Sequence, residues 1–189
     1  MQGVWDMTRE DYRDEESTLA EQIVRIGFSC TRCGDCCRPG AGDDNLVMVF
    51  PREIREISEF TGLEVTEVAE PYPDTVALPG NRIVTFGRVL RRFCGNCRFL
   101  SGSFCQVYAV RPSICRTYPF MLEGSGLRVY PCRGLGKPIS REDAVRIARD
   151  LLTRRAEEEE EIRRIQAVFP TIPPGPGRFI VDAEGVCRQ

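Results

Sequence analysis

The sequence predicts an α+β fold, small and irregular, with short strands in the middle and helices flanking them at both ends. Three observations carry that prediction. Apolar residues recur at helical spacing near the N-terminus, at Leu19, Ile23 and Ile26. They recur again after Ser140, at Ile147 and Leu151 and then at Ile162, Ile165 and Phe169. Between these stretches the chain breaks into brief apolar runs punctuated by Gly, Pro and Ser, and every cysteine except Cys187 falls there.

Taken in order, Arg9–Ile26 reads as a helix that delivers the chain to a cysteine run. "LVMVF" (Leu46–Phe50) is a short strand, and Pro51 opens a helix carrying Ile54, Ile57 and Phe60 that Gly62 closes. A helical turn follows near Glu64–Glu70. "PGN" (Pro79–Asn81) turns the chain into "RIVTF", and Gly87 separates that run from "RVLRRF". "RFL" and "CQVY" around "SGS", and "FML" and "LRVYP" around "EGSG", are further short strands. Pro112 starts one helical turn, "PSICRTY", that Pro119 stops. Ser140 and Asp143 occupy capping-box positions for a helix running to about Phe169. Its charged stretch "RRAEEEEEIRR" reads as a solvated face with i,i+4 charge pairs. The tail "PTIPPGPGRF" is a Pro/Gly arm before a final strand, "FIV". This divides the chain into an N-terminal helical extension (1–27), a cysteine-rich domain (28–136), and a C-terminal helix and tail (137–189) packing on that domain.

The chain has 189 residues, 42 % apolar and 29 % charged, with a formal charge of −2 at pH 7. Nothing global draws it toward nucleic acid. No stretch is apolar enough to span a membrane, and the N-terminus lacks a basic-then-apolar leader pattern, so a cytoplasmic protein is expected. Its basic residues are Lys137 and otherwise arginines. Genome composition explains that bias, and anion binding by forked guanidiniums is the sharper alternative. Histidine is absent, which removes the usual near-neutral acid–base group and the commonest nitrogen ligand.

What remains for chemistry is ten cysteines. In a reducing compartment, clustered thiols point to metal before disulfides. "CTRCGDCC" supplies Cys30, Cys33, Cys36 and Cys37, and Cys97, Cys105, Cys115 and Cys132 follow far downstream. A C-x2-C turn lets two thiolates face one ion, and C-x2-C-x2-C matches the first three ligands of a ferredoxin-type cluster. The fourth ligand of such a run would come three residues later, before a proline. Here Cys37 comes at once, so a closed site must borrow a later cysteine. Adjacent residues of extended chain project to opposite sides, so Cys36 and Cys37 should feed two sites, or one should be spare. Cys94 forms a second C-x-x-C with Cys97 and is either an additional ligand or a spare thiol. Cys187 reads as a plain cysteine. Tyr108 and Tyr118 read as core residues.

"CTRCGDCC", followed by "CRFLSGSFCQVYAVRPSICRTYPF" and "CRGLG", resembles the YkgJ-like CxxCxxCC cysteine-cluster family, labelled zinc- or iron-chelating and often Fe–S oxidoreductase. The resemblance covers roughly Phe28–Gly136. It implies that Cys30, Cys33, Cys36, Cys37, Cys97, Cys105, Cys115 and Cys132 form the family's cysteine framework. Arg111, Pro112 and Arg116 match its "RP..CR" element, which Pro119 and Phe120 complete. Arg111 and Arg116, beside Cys115, either pair with carboxylates of the fold or offset the charge of a thiolate cluster. The chain departs from the family in the extra Cys94 and in Glu53, where the family often has Asp.

The expectation is a metal-centred domain with one or two sites holding an iron–sulfur cluster, the preferred reading, or zinc. Iron–sulfur implies electron transfer or redox chemistry with an unidentified redox or protein partner. Zinc would make the protein a stapled, non-catalytic binding module. A weaker third reading is an accessory to a protein-modifying enzyme, because the same module occurs in a flagellin lysine methylase. The chain has no Gly-rich nucleotide fingerprint, which counts against that one.

Overall fold

Helix α1 spans Arg9–Ile26, the bounds its apolar spacing predicts. Thr8 caps it: the Thr8 hydroxyl oxygen accepts from the Asp11 N–H at 3.2 Å, and the Asp11 carboxylate accepts from the Thr8 N–H at 2.9 Å. This reciprocal pair satisfies two backbone donors left open at the helix start. The computed structural model describes residues 8–40, 46–124 and 126–189. The first seven residues of the expected N-terminal extension and Ser125 of the "EGSG" turn lie outside them.

The chain continues through a 3-10 turn (Asp35–Cys37), β1 (Met48–Val49), α2 (Pro51–Thr61), α3 (Val65–Val68) and β2 (Ala69–Pro71). Then come β3 (Val76–Leu78), β4 (Arg82–Phe86), β5 (Arg88–Leu90), β6 (Arg92–Phe93), β7 (Asn96–Cys97), β8 (Leu100–Ser101) and β9 (Phe104–Cys105). A short α4 (Ser113–Thr117), the hairpin β10 (Phe120–Glu123) and β11 (Gly126–Val129), the long α5 (Arg141–Val168), β12 (Gly177–Asp182) and β13 (Gly185–Arg188) complete it. The fold is α+β, with helices toward both ends. Several strands are shorter than predicted: "LVMVF" pairs only over Met48–Val49, because its single partner, β5, offers two residues in register.

Contacts divide the described residues into two interleaved units. The first comprises the chain through Cys36, Gly102–Phe104 and Ser113–Glu159. Its core joins Leu19, Ala20 and Ile23 of α1 to Ala144, Ala148, Leu151 and Leu152 of α5, with Phe120 of β10. Alanines on both helices allow close approach, and Phe28 meets Phe120 edge-to-face at 5.5 Å. Ser140 caps α5, its hydroxyl oxygen accepting from the Asp143 N–H at 3.0 Å.

The charged stretch of α5 is the solvated face predicted only toward its end, where Arg163 and Arg164 are exposed and Arg164 pairs with Glu160 at i,i+4. Its i,i+4 pair Arg154–Glu158 is present, but the Arg154 side chain is only 8 % exposed and also donates to the Thr117 hydroxyl of α4 at 3.2 Å. Burial selects arginine here because a forked guanidinium serves two acceptors at once.

The second unit comprises the described residues of Cys37–Ser101, Cys105–Pro112 and Glu160–Gln189. Its four-stranded sheet has the order β13-β12-β4-β3, with β12 parallel to β4 and antiparallel to β13. A three-stranded sheet has the order β1-β5-β2. The Pro/Gly tail therefore leads into an interior strand, longer than "FIV". Phe179, Ile180 and Val181 are all buried, as a continuous apolar run allows. Val84, Ile172, Phe179 and Val181 form the core beneath that sheet. Pro51 opens α2, Gly62 closes it in the left-handed region (φ 73°), and Glu53 is buried with its carboxylate accepting from the Phe50 N–H at 3.0 Å. Glu53 thus has a capping role in this fold.

No helix among the described residues is long and apolar enough to cross a membrane.

Candidate metal centre

The early cysteine run meets the late chain through backbone. The Ser29 N–H donates to the Gly134 carbonyl and the Gly136 N–H to the Gly27 carbonyl, both at 3.0 Å, and Phe28 bridges Leu135. This contact is close enough to demand glycine. A Cβ at Gly134 would lie 2.4 Å from the Ser29 carbonyl oxygen, and one at Gly27 would lie 2.7 Å from the Lys137 carbonyl oxygen. Gly27 also adopts φ +73°, which L side chains rarely occupy.

The clamp carries Cys132 to the early thiols. Burial pushes the Cys132 thiol up, and the nearby Cys33, Cys30 and Cys36 push it the same way. Against this, the Gly134 N–H donates to the Cys132 sulfur at 3.4 Å. Cys30 and Cys36 are exposed and Cys33 half-buried, while the Arg133 guanidinium holds Asp35 at 2.7 Å beside them. Cys115, half-buried on α4, belongs to the same unit, as does Arg116 of that helix.

Cys37 belongs to the second unit with Cys97 and Cys105. The Cys105 thiol is lowered to about 6, first because Cys37 hydrogen-bonds to its sulfur, and further by the Val107 N–H and the Arg111 charge. Partial burial opposes these effects. Arg111 is itself fixed: it donates to the Tyr108 carbonyl at 2.6 Å and lies 3.9 Å over the Tyr108 ring. Tyr108 is thus a platform for the guanidinium rather than a core residue. Tyr118, also half-buried, donates its hydroxyl to the Pro131 carbonyl at 2.6 Å.

The "CGNC" segment is a tight hairpin. Arg92 pairs with Cys97 and Phe93 with Asn96, leaving Cys94 and Gly95 as a two-residue turn with φ of 50° and 82°. Cys94 stands exposed at the tip, Cys97 is half-buried on β7, and Cys187 is exposed on β13.

Cys36 and Cys37 lie on the 3-10 turn and not on extended chain. At three residues per turn their side chains diverge by about 120°. The reason for their divergence thus differs from the one expected.

These groups fit a thiophilic metal in their chemistry: the donors are all sulfur, and backbone N–H groups point at Cys105 and Cys132, as they do at metal thiolates. Among the described residues, no three thiols or carboxylates stand at metal-ligand spacing. The sequence did not single out Gly27 as part of the clamp, Gly134 or Arg154. The glycines of "IGFSC" and "CRGLG" were the only signal for the clamp.

No solved structure matches the chain. The CxxCxxCC model, described as "Putative zinc- or iron-chelating domain", matches residues 29–133, from the residue before Cys30 to the residue after Cys132 and so more than half of the chain. The protein belongs to the CxxCxxCC family.

Proposed function

We propose that this is an iron–sulfur protein of electron transfer or redox chemistry, with Cys30, Cys33, Cys36 and Cys132 as one ligand set. The observation that carries the reading is Cys132. The three-thiol run has cluster spacing but no fourth ligand of its own, and the backbone contact of Gly27–Ser29 with Gly134–Lys137 brings a distant thiol into its electrostatic reach. Cys115 is the reserve donor of that unit. In the second unit Cys37 and Cys105, with Cys97 and the extra Cys94, form a second thiol group whose negative charge Arg111 offsets. Bound at such sites, an iron–sulfur cluster supplies one-electron transfer. The chain's own residues hold it, donate N–H groups to sulfur and balance its charge. The same thiols suit the cytoplasm, where they stay reduced.

One feature favours zinc as the alternative. From Gly27 to Gly40 the only regular structure is the Asp35–Cys37 turn, together with isolated bridges, so a redox-silent ion would serve as a staple.

Metal and acid-labile sulfide analysis of anaerobically purified protein tests the proposal. Iron with sulfide, lost in part from Cys132→Ser, is the expected result. Zinc alone, without sulfide, overturns it in favour of the staple.

A further inference from the structure

Two thiols distant in sequence meet in the second unit, where Cys37 hydrogen-bonds to the sulfur of Cys105. Both are half-buried, so each sulfur is sheltered yet open to a small reagent. Their backbones are held on either side. Cys37 ends the 3-10 turn Asp35–Cys37, and two residues on, the Pro39 ring lies against the Cys94–Gly95 turn. A Cβ on Gly95 would stand 3.4 Å from the Pro39 Cγ. Cys105 ends β9. The Gln106 N–H beyond it donates to the carbonyl of buried Phe99 at 2.9 Å, and the carbonyl of buried Val107 accepts from the Val110 N–H at 3.0 Å.

Thiols held in contact by anchored backbone stand at a high effective concentration toward one another. From hydrogen-bond contact, the sulfurs have a short approach to the S–S bond length of about 2.05 Å. We propose that Cys37 and Cys105 are a redox-sensitive thiol pair, closing to a disulfide by exchange with a low-molecular-weight disulfide such as oxidised glutathione. One thiolate of the pair attacks a sulfur of the reagent, forming a mixed disulfide and releasing one glutathione thiolate. The second protein thiolate then attacks the protein sulfur of the mixed disulfide, forming the Cys37–Cys105 bond and releasing the second glutathione. The pair gives up two electrons to the reagent, and its two protons end on the two glutathiones. A reducing thiol reverses both steps. Under reducing conditions the pair rests open, as transient sensing disulfides do.

On the reading of Cys37 and Cys105 as metal ligands, closure also regulates the site. A metal takes a thiolate and not a disulfide sulfur, so the bond empties the second thiol group and leaves Cys30, Cys33, Cys36 and Cys132 their own.

The test equilibrates the purified full chain anaerobically across a series of reduced-to-oxidised glutathione ratios, with and without a chelator. At each ratio free thiols are blocked, linked peptides are mapped and released metal is measured. Cys37–Cys105 is expected as the first linked pair, reopened by excess reduced glutathione. Bound metal is expected to shift half-closure to a ratio at least about tenfold more oxidising than in chelator, with metal release rising in step with the bond. Cys36→Ser should still form the bond and Cys37→Ser should leave Cys105 unlinked, with Cys115→Ser as a second control should Cys36→Ser disturb folding. The inference is overturned if another pair closes first, Cys94–Cys97 for example, or if the bond does not reopen. It is equally overturned if the metal-loaded chain closes at the same ratio as the chelated one and keeps its metal. A chain that closes Cys37–Cys105 but holds no metal in any state supports the bond and refutes the ligand reading alone.

Discussion

Replacing Gly134 with alanine should open the contact that brings Cys132 to the early thiols. The added methyl carbon would sit 2.4 Å from the Ser29 carbonyl oxygen, 3.1 Å from the Ser29 carbonyl carbon and 2.9 Å from the Phe28 ring. A comfortable separation is about 3.5 Å, so the Ser29 backbone must retreat by roughly 1 Å. The ring could swing aside, but the carbonyl cannot, because the Ser29 N–H of the same residue is bonded to the Gly134 carbonyl. Overpacking of this kind costs about 1–3 kcal/mol, and loss of that hydrogen bond adds about 1 kcal/mol. For a chain of this length each kcal/mol lowers Tm by about 2–4 °C, so a fall on the order of 10 °C is expected. Differential scanning fluorimetry measures it, and the rate of metal loss to a chelator, which should rise, measures the consequence for Cys132. Gly126→Ala is the control, since a Cβ there meets nothing within 4 Å. A Gly134→Ala protein that melts with the natural chain and holds its metal as long would refute the clamp.

Cys33→Ser should lose metal and stability together, whereas Cys187→Ser on exposed β13 should change neither, by metal analysis and melting. Arg154→Ala should destabilise the protein by about 1–3 kcal/mol on a denaturant curve, because Thr117 and Glu158 both lose the guanidinium that donates to them and its buried place is left empty. Arg154→Lys should recover little of it, since an ammonium lacks the fork. Glu161 is raised above the usual carboxylate value, chiefly by burial, although its carboxylate accepts from the Ala183 N–H at 3.1 Å. The folded protein therefore holds this proton at pH values where the unfolded chain has released it, and stability falls as pH rises through that window. Glu161→Gln keeps an acceptor for Ala183 and should be more stable than the natural chain at neutral pH, with the gain vanishing in acid. An equal gain at both pH values would remove the titration argument.

The helices were legible because their signals are local. Pro51, Gly62 and Ser140 mark ends, and apolar spacing marks faces, so the bounds of α1, α2 and α5 follow closely from the residues. The strand β12 was only partly legible: its parallel partner, β4, lies far away in sequence, and nothing local announces that pairing. The burial of Arg154 was hidden for a similar reason. On its own helix it sits in a charged run, and only α4 supplies the hydroxyl that makes burial tolerable. At the thiols, the spacing of Cys30, Cys33 and Cys36 indicated a missing ligand. It could not indicate which of four later cysteines comes near. Cys132 comes within electrostatic reach of the early thiols through glycines whose role is a backbone distance, and no single sequence displays a distance.

The adjacent cysteines follow from the same geometry, and they give the sharpest test of two separate thiol groups. On a 3-10 turn, Cys36 and Cys37 point about 120° apart, so one tetrahedral ion cannot readily take both without unwinding Asp35–Cys37. Cys36 acts electrostatically on Cys132, and Cys37 hydrogen-bonds to Cys105. If each neighbour serves its own group, Cys36→Ser and Cys37→Ser should each remove part of the bound metal, and the double variant should lose the sum of the two. Groups that share no ligand behave additively. A single shared site predicts the opposite, that either substitution removes as much metal as both together. Metal per chain in the two single variants and the double variant distinguishes the cases, and non-additive loss would return the eight cysteines to one constellation.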